Sequence, residues 1–488
     1  MKWVSMAFTA GFALAFDSSG AVAKEPVAAT PANNLPALVN EKNAAPALLL
    51  PVEQYQLSNG LTVLASEDHS LPVVAVEVLY FVGSGHERAG RTGFAHLFEH
   101  LMFQGSEHFD QEYFKPYEPM GGEVNGTTSR DRTNFYERVP RNYLKTPLWM
   151  EADRMAFLLP ALSQAKLDNQ REVVKNERRQ RYENTPYGMA WAYLGEALYP
   201  VGHPYRHIPI GSHEDLTAAT LADVKQFFEQ YYVPANAVLT LVGDFDGAQA
   251  KQQVEHYFGK IPGGQRAPRP AATLPAPQAV HWQKPDEVPL PRIYLAWHTP
   301  AIYAAGDAEL DLLSNVLTGG KTSRLYQPLV YEKKIAKEVD AYQVSQALSS
   351  FYVVEATAAP GHDVAELYTE LLRALTKALA TPPSEAELGR AISAYKKSFF
   401  GRIEGVQSRA STLASYYHLA GRGDYLSEDL QRYVGASAAA VQAAGQRYLD
   451  LTKFVRIDIV PGKKEAASAG TTPAQGKARG EASAGKVH

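Results

Sequence analysis

Gly93-Phe94-Ala95-His96-Leu97-Phe98-Glu99-His100-Leu101-Met102-Phe103 is the stretch on which the reading turns. It is rich in helix formers and free of Pro, so it predicts a helix. On that helix His96 and His100 stand at i and i+4, and both imidazoles leave from one face. Glu99, three residues after His96, lies beside them. Two neutral imidazoles on one turn grip a borderline cation such as zinc. A carboxylate next to them can take a proton from water held by the metal. The order H-x-x-E-H reverses the H-E-x-x-H order of the zincins. A chain of this length carries the pattern by chance at roughly 2 %; the bland alternative is a helix with capping or solvated histidines. A catalytic zinc wants a third protein ligand and one open position. No third His follows at helical spacing, so the next candidate is a carboxylate on a second helix. Residues 166–182 (KLDNQREVVKNERRQRY) are strongly helical and offer Glu172 and Glu177.

Composition narrows the chemistry from the other side. The 488 residues include no Cys. Disulfides, Cys-ligated zinc, iron–sulfur clusters and a thiol nucleophile are therefore excluded, and any metal rests on His, Asp or Glu. With 45 % hydrophobic and 20 % charged residues the chain is an ordinary globular one, not a fibre or a polytopic membrane protein. A formal net charge of -4 supplies no basic field for nucleic acid.

The ends read differently from the body. Residues 1–23 combine Lys2, an apolar run over 6–16 and a small-residue site at Ala21-Val22-Ala23, the three parts of a secretory signal. The run is too short to span a bilayer. Export is the expectation, to a periplasm or to the outside. Residues 24–50 look like an extended arm, and residues 461–488 a disordered tail.

Residues 262–291 are dense in Pro and Ala and predict a linker between domains. The parts on either side, 51–261 and 292–460, follow the same order. Each opens with an alternating apolar strand (73–82; 293–298) and closes with a helix feeding a strand (224–232 into 237–242; 440–448 into 454–460). This suggests two copies of one α+β domain. The expected fold is α+β, each domain a mostly antiparallel sheet with helices packed on one face.

His96-Leu97-Phe98-Glu99-His100, followed at a distance by Glu177, resembles the signature of the pitrilysin family of zinc peptidases, the inverzincins. Arg171-Glu172-Val173-Val174-Lys175-Asn176-Glu177 is similar to that family's second ligand helix. Residues 120–128 (MGGEVNGTT) are similar to the strand bordering its cleft. Gly202-His203-Pro204-Tyr205 and Ile210-Gly211 also recur in such proteins. The resemblance covers most of residues 50–460. It implies one zinc per chain held by His96, His100 and Glu177, with Glu99 as the general base for water attacking the scissile carbonyl. It also implies that Asn125, Gly126 and Thr127 pair with an extended peptide by main-chain bonds, and that Gln170 and Glu172 support the ligands from behind.

Two departures stand out. Many members carry a glutamate seven residues before the ligand glutamate; here the position is Gln170, an amide that cannot act as a base. Active single-chain members also place an Arg and a Tyr, seven positions apart, in the other half of the molecule. The matching positions are Val330 and Lys337, while Arg324 and Tyr326 are expected to be structural. The resemblance therefore implies a heterodimer with a homologous subunit that lacks the metal motif and supplies the Arg and Tyr. The expected function is a zinc endopeptidase acting on peptides or unfolded segments in an enclosed chamber. The competing reading is a non-catalytic, zinc-stabilised peptide-binding or scaffold subunit.

Overall fold

The computed structural model describes residues 50–274 and 276–463. The signal at 1–23, nearly all of the arm, and the tail beyond 463 lie outside the described residues. The first half runs β1 (Glu53–Gln56), β2 (Thr62–Glu67), β3 (Val73–Tyr80), α1 (Phe94–Leu101), β4 (Glu123–Thr128) and β5 (Thr133–Pro140). It continues with α2 (Lys145–Ala161), α3 (Gln164–Arg178), α4 (Ala190–Leu198), α5 (His213–Ala218), α6 (Leu221–Tyr231), β6 (Ala237–Gly243) and α7 (Gly247–Phe258). The second half runs β7 (Val280–Asp286), β8 (Arg292–Thr299), α8 (Asp307–Thr318), β9 (Ala336–Val344) and β10 (Ser350–Ala358). It closes with α9 (Val364–Leu379), α10 (Glu385–Glu404), α11 (Val406–Ala420), α12 (Leu426–Val434), α13 (Ala438–Tyr448) and β11 (Val455–Pro461).

The first sheet has the order β1-β2-β6-β3-β5-β4, and the second β7-β11-β8-β10-β9. Each is antiparallel except for one pair, β2 with β6 and β7 with β11. The two halves thus repeat one mixed α+β architecture. Helices α1, α2, α6 and α7 pack on one face of the first sheet, around Val76, Val78, Phe98 and Phe228. The opposite face is covered from the other half: α11 lays Leu413, Ala414 and Ala410 against Leu79, Ala75 and Val242. The arrangement is reciprocal, because α4 of the first half packs Ala190, Leu194 and Leu198 on Ala296, Val353 and Ile457 of the second sheet. Coverage on both sides explains why β3 (VVAVEVLY) is buried at seven of its eight positions. Its one acid, Glu77, is fully buried and is satisfied across the seam. Asn134 donates to it at 2.7 Å, and Gln407 and Ser411 of α11 donate to its other oxygen.

The Pro-rich segment is a linker only in part. Residues 263–274 form no regular element, but residues 280–286 become strand β7, paired in parallel with β11. A strand containing Pro285 is tolerated because β7 is the edge of its sheet, where a missing N–H breaks no central ladder.

Candidate metal centre

Helix α1 carries the motif, and its start is fixed from outside the helix. The carboxylate of Glu87, fully buried, accepts from the amides of Gly93 (2.9 Å) and Ala95 (2.8 Å). Those donors lack intrahelical partners, and a negative charge there complements the helix dipole. His207 Nε2 donates to the same carboxylate at 2.8 Å. Burial pushes the Glu87 carboxyl up, while His207 and the two amides pull it back. Asp215 holds the amide of Thr92 at 2.9 Å. Gly93 has φ +91, and a Cβ there would sit 2.7 Å from the Ile210 carbonyl. The Ile210-Gly211 pair is therefore the wall against which α1 begins. On the inner side of α1, Phe98 stacks on Phe227 and Tyr232, both with centroids 5.1 Å away.

Helix α3 starts at Ser163, whose hydroxyl accepts from the Lys166 amide, and buries Leu167, Gln170 and Val174. Its last turn brings Glu177 to α1. Glu177 Oε2 lies 3.2 Å from His100 Nε2 and 3.7 Å from His96 Nε2. The two rings meet edge-on with centroids 4.8 Å apart. Donors sharing one tetrahedral ion at about 2.0–2.2 Å are roughly 3.3–3.6 Å apart; the three donors here lie within 4.8 Å of one another, close enough for small side-chain shifts to bring them onto one zinc. It is the one group of three metal-capable side chains converging among the described residues. Burial, and then the neighbouring His100, hold the His96 imidazole down at about 4, which favours the neutral ligand form. Burial pushes Glu177 up, but the His100 hydrogen bond and the charges of His96 and Arg181 outweigh it, and the net direction is down. Arg181 Nη1 donates to Glu177 Oε1 at 2.7 Å, so the oxygen facing away from the imidazoles is already taken.

Glu99 is held from the edge strand. Thr128 donates its hydroxyl to Glu99 Oε2 at 2.6 Å. A Cβ on Gly126 would meet the Glu99 Cγ at 3.2 Å and Phe135 at 3.1 Å, so a glycine lets β4 pass close to the carboxylate. Burial raises the Glu99 pKa, against the Thr128 hydrogen bond and the His100 charge.

Strand β4 ends the first sheet and pairs only with β5. The Ser129 amide bonds to the Arg132 carbonyl, closing the hairpin at 2.8 Å. Antiparallel alternation then turns the backbone groups of Thr127 and Asn125 towards β5 and those of Gly126 towards the open edge. Of the three expected substrate-pairing residues, Gly126 alone offers its main chain outward, and its amide is capped by Asn125 Oδ1 at 2.8 Å.

The two expected supporting residues separate. Gln170 is buried, two turns from Glu177 on the same face. Glu172 does not support the site. Five residues from Glu177, it is turned about 140° away, exposed and paired with Lys175 at 2.7 Å. In the second half, Val330 packs against the core and Lys337 is exposed on β9. Arg324 is a structural tie, binding Glu387 and the carbonyls of Ala378, Thr381 and Pro382. Glu87, Arg181 and Thr128 were missed in the sequence. The partners of Glu87 and Thr128 lie on other elements, where no spacing rule links them; Arg181 stands at i+4 from Glu177 and was open to that rule.

Residues 62–200 match the sequence model described as Insulinase (Peptidase family M16), and residues 218–395 match the Peptidase M16 inactive domain. The chain is 30 % identical over 373 residues to the zinc protease PqqE of Helicobacter pylori, covering 75 % of this chain and 83 % of that one. The crystal structure of a protease from Helicobacter pylori superposes with a TM-score of 0.78 at 27 % identity, covering 85 % of this chain and all of that one (100 %). The periplasmic protease PqqL from Escherichia coli shares the fold, with a TM-score of 0.70 at 19 % identity; the match covers 86 % of this chain and 48 % of that one.

Proposed function

The chain belongs to peptidase family M16, the insulinase family, and from that premise we propose that it is a zinc-dependent endopeptidase with His96, His100 and Glu177 as ligands and Glu99 as general base. The observation that carries the reading is the approach of His96 Nε2 and His100 Nε2 to one Glu177 oxygen, with the Glu99 carboxylate on the same helix. Zinc bound there would polarise a peptide carbonyl and make a nearby water more acidic. Glu99 then does the proton work. Its buried carboxylate is a stronger base than an exposed one, and Thr128 occupies one oxygen while leaving the other for the proton of the attacking water. The same group hands that proton to the leaving amine. An extended peptide adds to the free edge of β4, pairing with the main chain at Gly126 and flanked by Asn125 and Thr127. It must displace the Asn125 side chain from the Gly126 amide, a small ordering step that favours a well-fitted strand.

The match to an inactive domain begins at residue 218, after all four of these residues, and so does not weaken the assignment. It does agree with a second half in which no such group of metal-capable side chains converges among the described residues. With Val330 and Lys337 where the family's Arg and Tyr are expected, this chain is the metal half of a two-subunit peptidase. Its fold covers about half of PqqL, as expected of a separate half. Export to the periplasm is part of the same proposal; no helix among the described residues is long and apolar enough to cross a membrane.

The test is hydrolysis of a quenched-fluorescence peptide library by the purified chain, with and without the homologous subunit. Cleavage that depends on zinc, rises on adding the partner and vanishes in Glu99→Gln supports the reading. Unchanged behaviour of Glu99→Gln, with zinc still bound, would leave the scaffold alternative standing.

A further inference from the structure

A second polar site lies where the two halves and the linker meet. His418 of α11 is buried at 4 % exposure, and neither of its ring nitrogens has a hydrogen-bond partner. Its ring stacks on Phe81 with centroids 5.0 Å apart, which fixes its plane. It forms part of the wall of a small cavity shared with His86, Asp131, Arg266 and Arg269. The two arginines come from the linker, on the solvent side. Arg266 lies over the Phe81 ring at 4.3 Å, and Arg269 donates to the His418 carbonyl; neither forms an ion pair with a carboxylate among the described residues. Asp131, the one acid in the wall, has both oxygens engaged, by the Tyr205 hydroxyl and by the Ala347 amide at 3.1 Å. Burial and the nearby guanidiniums keep both histidines neutral, with His86 held down at about 4. Two guanidiniums against one carboxylate leave the wall with a single excess positive charge.

Exposed arginines without partners are ordinary. A fully buried imidazole with neither nitrogen satisfied is not, and it calls for a ligand in the cavity. The space accessible to a water-sized particle is about 20 Å³. That is enough for a water or a monatomic ion. We propose that the cavity binds one small monovalent inorganic anion, chloride in practice, which bridges Arg266 and Arg269 to His418 and fastens the linker to the seam between the halves. The neutral His418 would donate one N–H to it, and the anion would cancel the excess charge.

The experiment uses the full chain. Crystals grown without halide are soaked in sodium bromide, and an anomalous peak is expected between Arg266, Arg269 and His418. In parallel, the protein is melted in sodium chloride and in sodium gluconate at equal ionic strength. Chloride should give a saturable extra rise of roughly 1–2 °C, lost in the Arg266→Gln/Arg269→Gln variant. No bromide peak at the seam overturns the proposal whatever the melts do. A peak with identical wild-type melting in the two salts marks an adventitious ion only and also overturns it. If the double variant fails to fold, the wild-type soak and melts decide alone.

Discussion

Glu99 and Glu177 are both carboxylates beside the same imidazoles, and their surroundings give them different work. Glu177 is drawn down by His100, His96 and Arg181, so it stays ionised as a ligand. Glu99 is pushed up by burial, so it is the better proton acceptor. Glu99→Gln should therefore keep one zinc per chain by atomic absorption while kcat/KM falls by about 10²–10⁴ or more. Arg181 acts through Glu177, to whose outer oxygen it donates. Arg181→Met should weaken zinc by about tenfold, read by competition with a chromophoric chelator. Unchanged affinity would reduce the contact to a surface ion pair. The two imidazoles and Glu99 were legible in the sequence because a helix turns fixed spacing into a shared face. Glu87 was not, since a carboxylate that caps a helix from a preceding loop leaves no periodic trace.

At the scale of elements, α1 is short and depends on its cap. Glu87→Gln removes the charge that faces the Gly93 and Ala95 amides and should cost about 1–2 kcal/mol in urea unfolding. Zinc affinity should fall with it, because α1 carries two ligands. Strand β4 presses on Glu99 at Gly126, where a Cβ would come within 3.2 Å of Glu99 Cγ. Gly126→Ala should lower kcat by roughly 10- to 100-fold with zinc content unchanged, since a misplaced base costs rate and not metal. An active Gly126→Ala enzyme would contradict the close approach. Strand β7 shows where reading by composition stops. A Pro-rich stretch reads as linker, yet an edge position asks so little of the backbone that Val280–Asp286 still pairs.

For the whole molecule, the reciprocal exchange of α4 and α11 makes the two halves one body. The sequence held a trace of it, because β3 is apolar on both faces, but which helix covers the second face follows from long-range packing alone. Polar ties cross the same seam. Asp68 is held down at about 2 by the Ser70 hydroxyl and amide and by Arg409 of α11, 2.7 Å away. Within the second half, Glu387 is held at about 2, first by Arg324. A carboxylate depressed in the fold contributes stability above its unfolded pKa of about 4 and loses it as pH falls through the folded value. Stability should thus decline between about pH 4 and pH 2, and Arg409→Met should flatten part of that decline in acid-unfolding curves. An identical acid limb in the variant would remove Arg409 from the account.

The convergence of His96, His100 and Glu177 on one ion is the claim from which the peptidase reading follows, and an anomalous difference map recorded at the zinc edge tests it most directly. One peak within about 2.0–2.2 Å of His96 Nε2, His100 Nε2 and Glu177 Oε2 is the predicted result. A map from zinc-saturated crystals with no peak there, or with zinc bound only elsewhere, would contradict it.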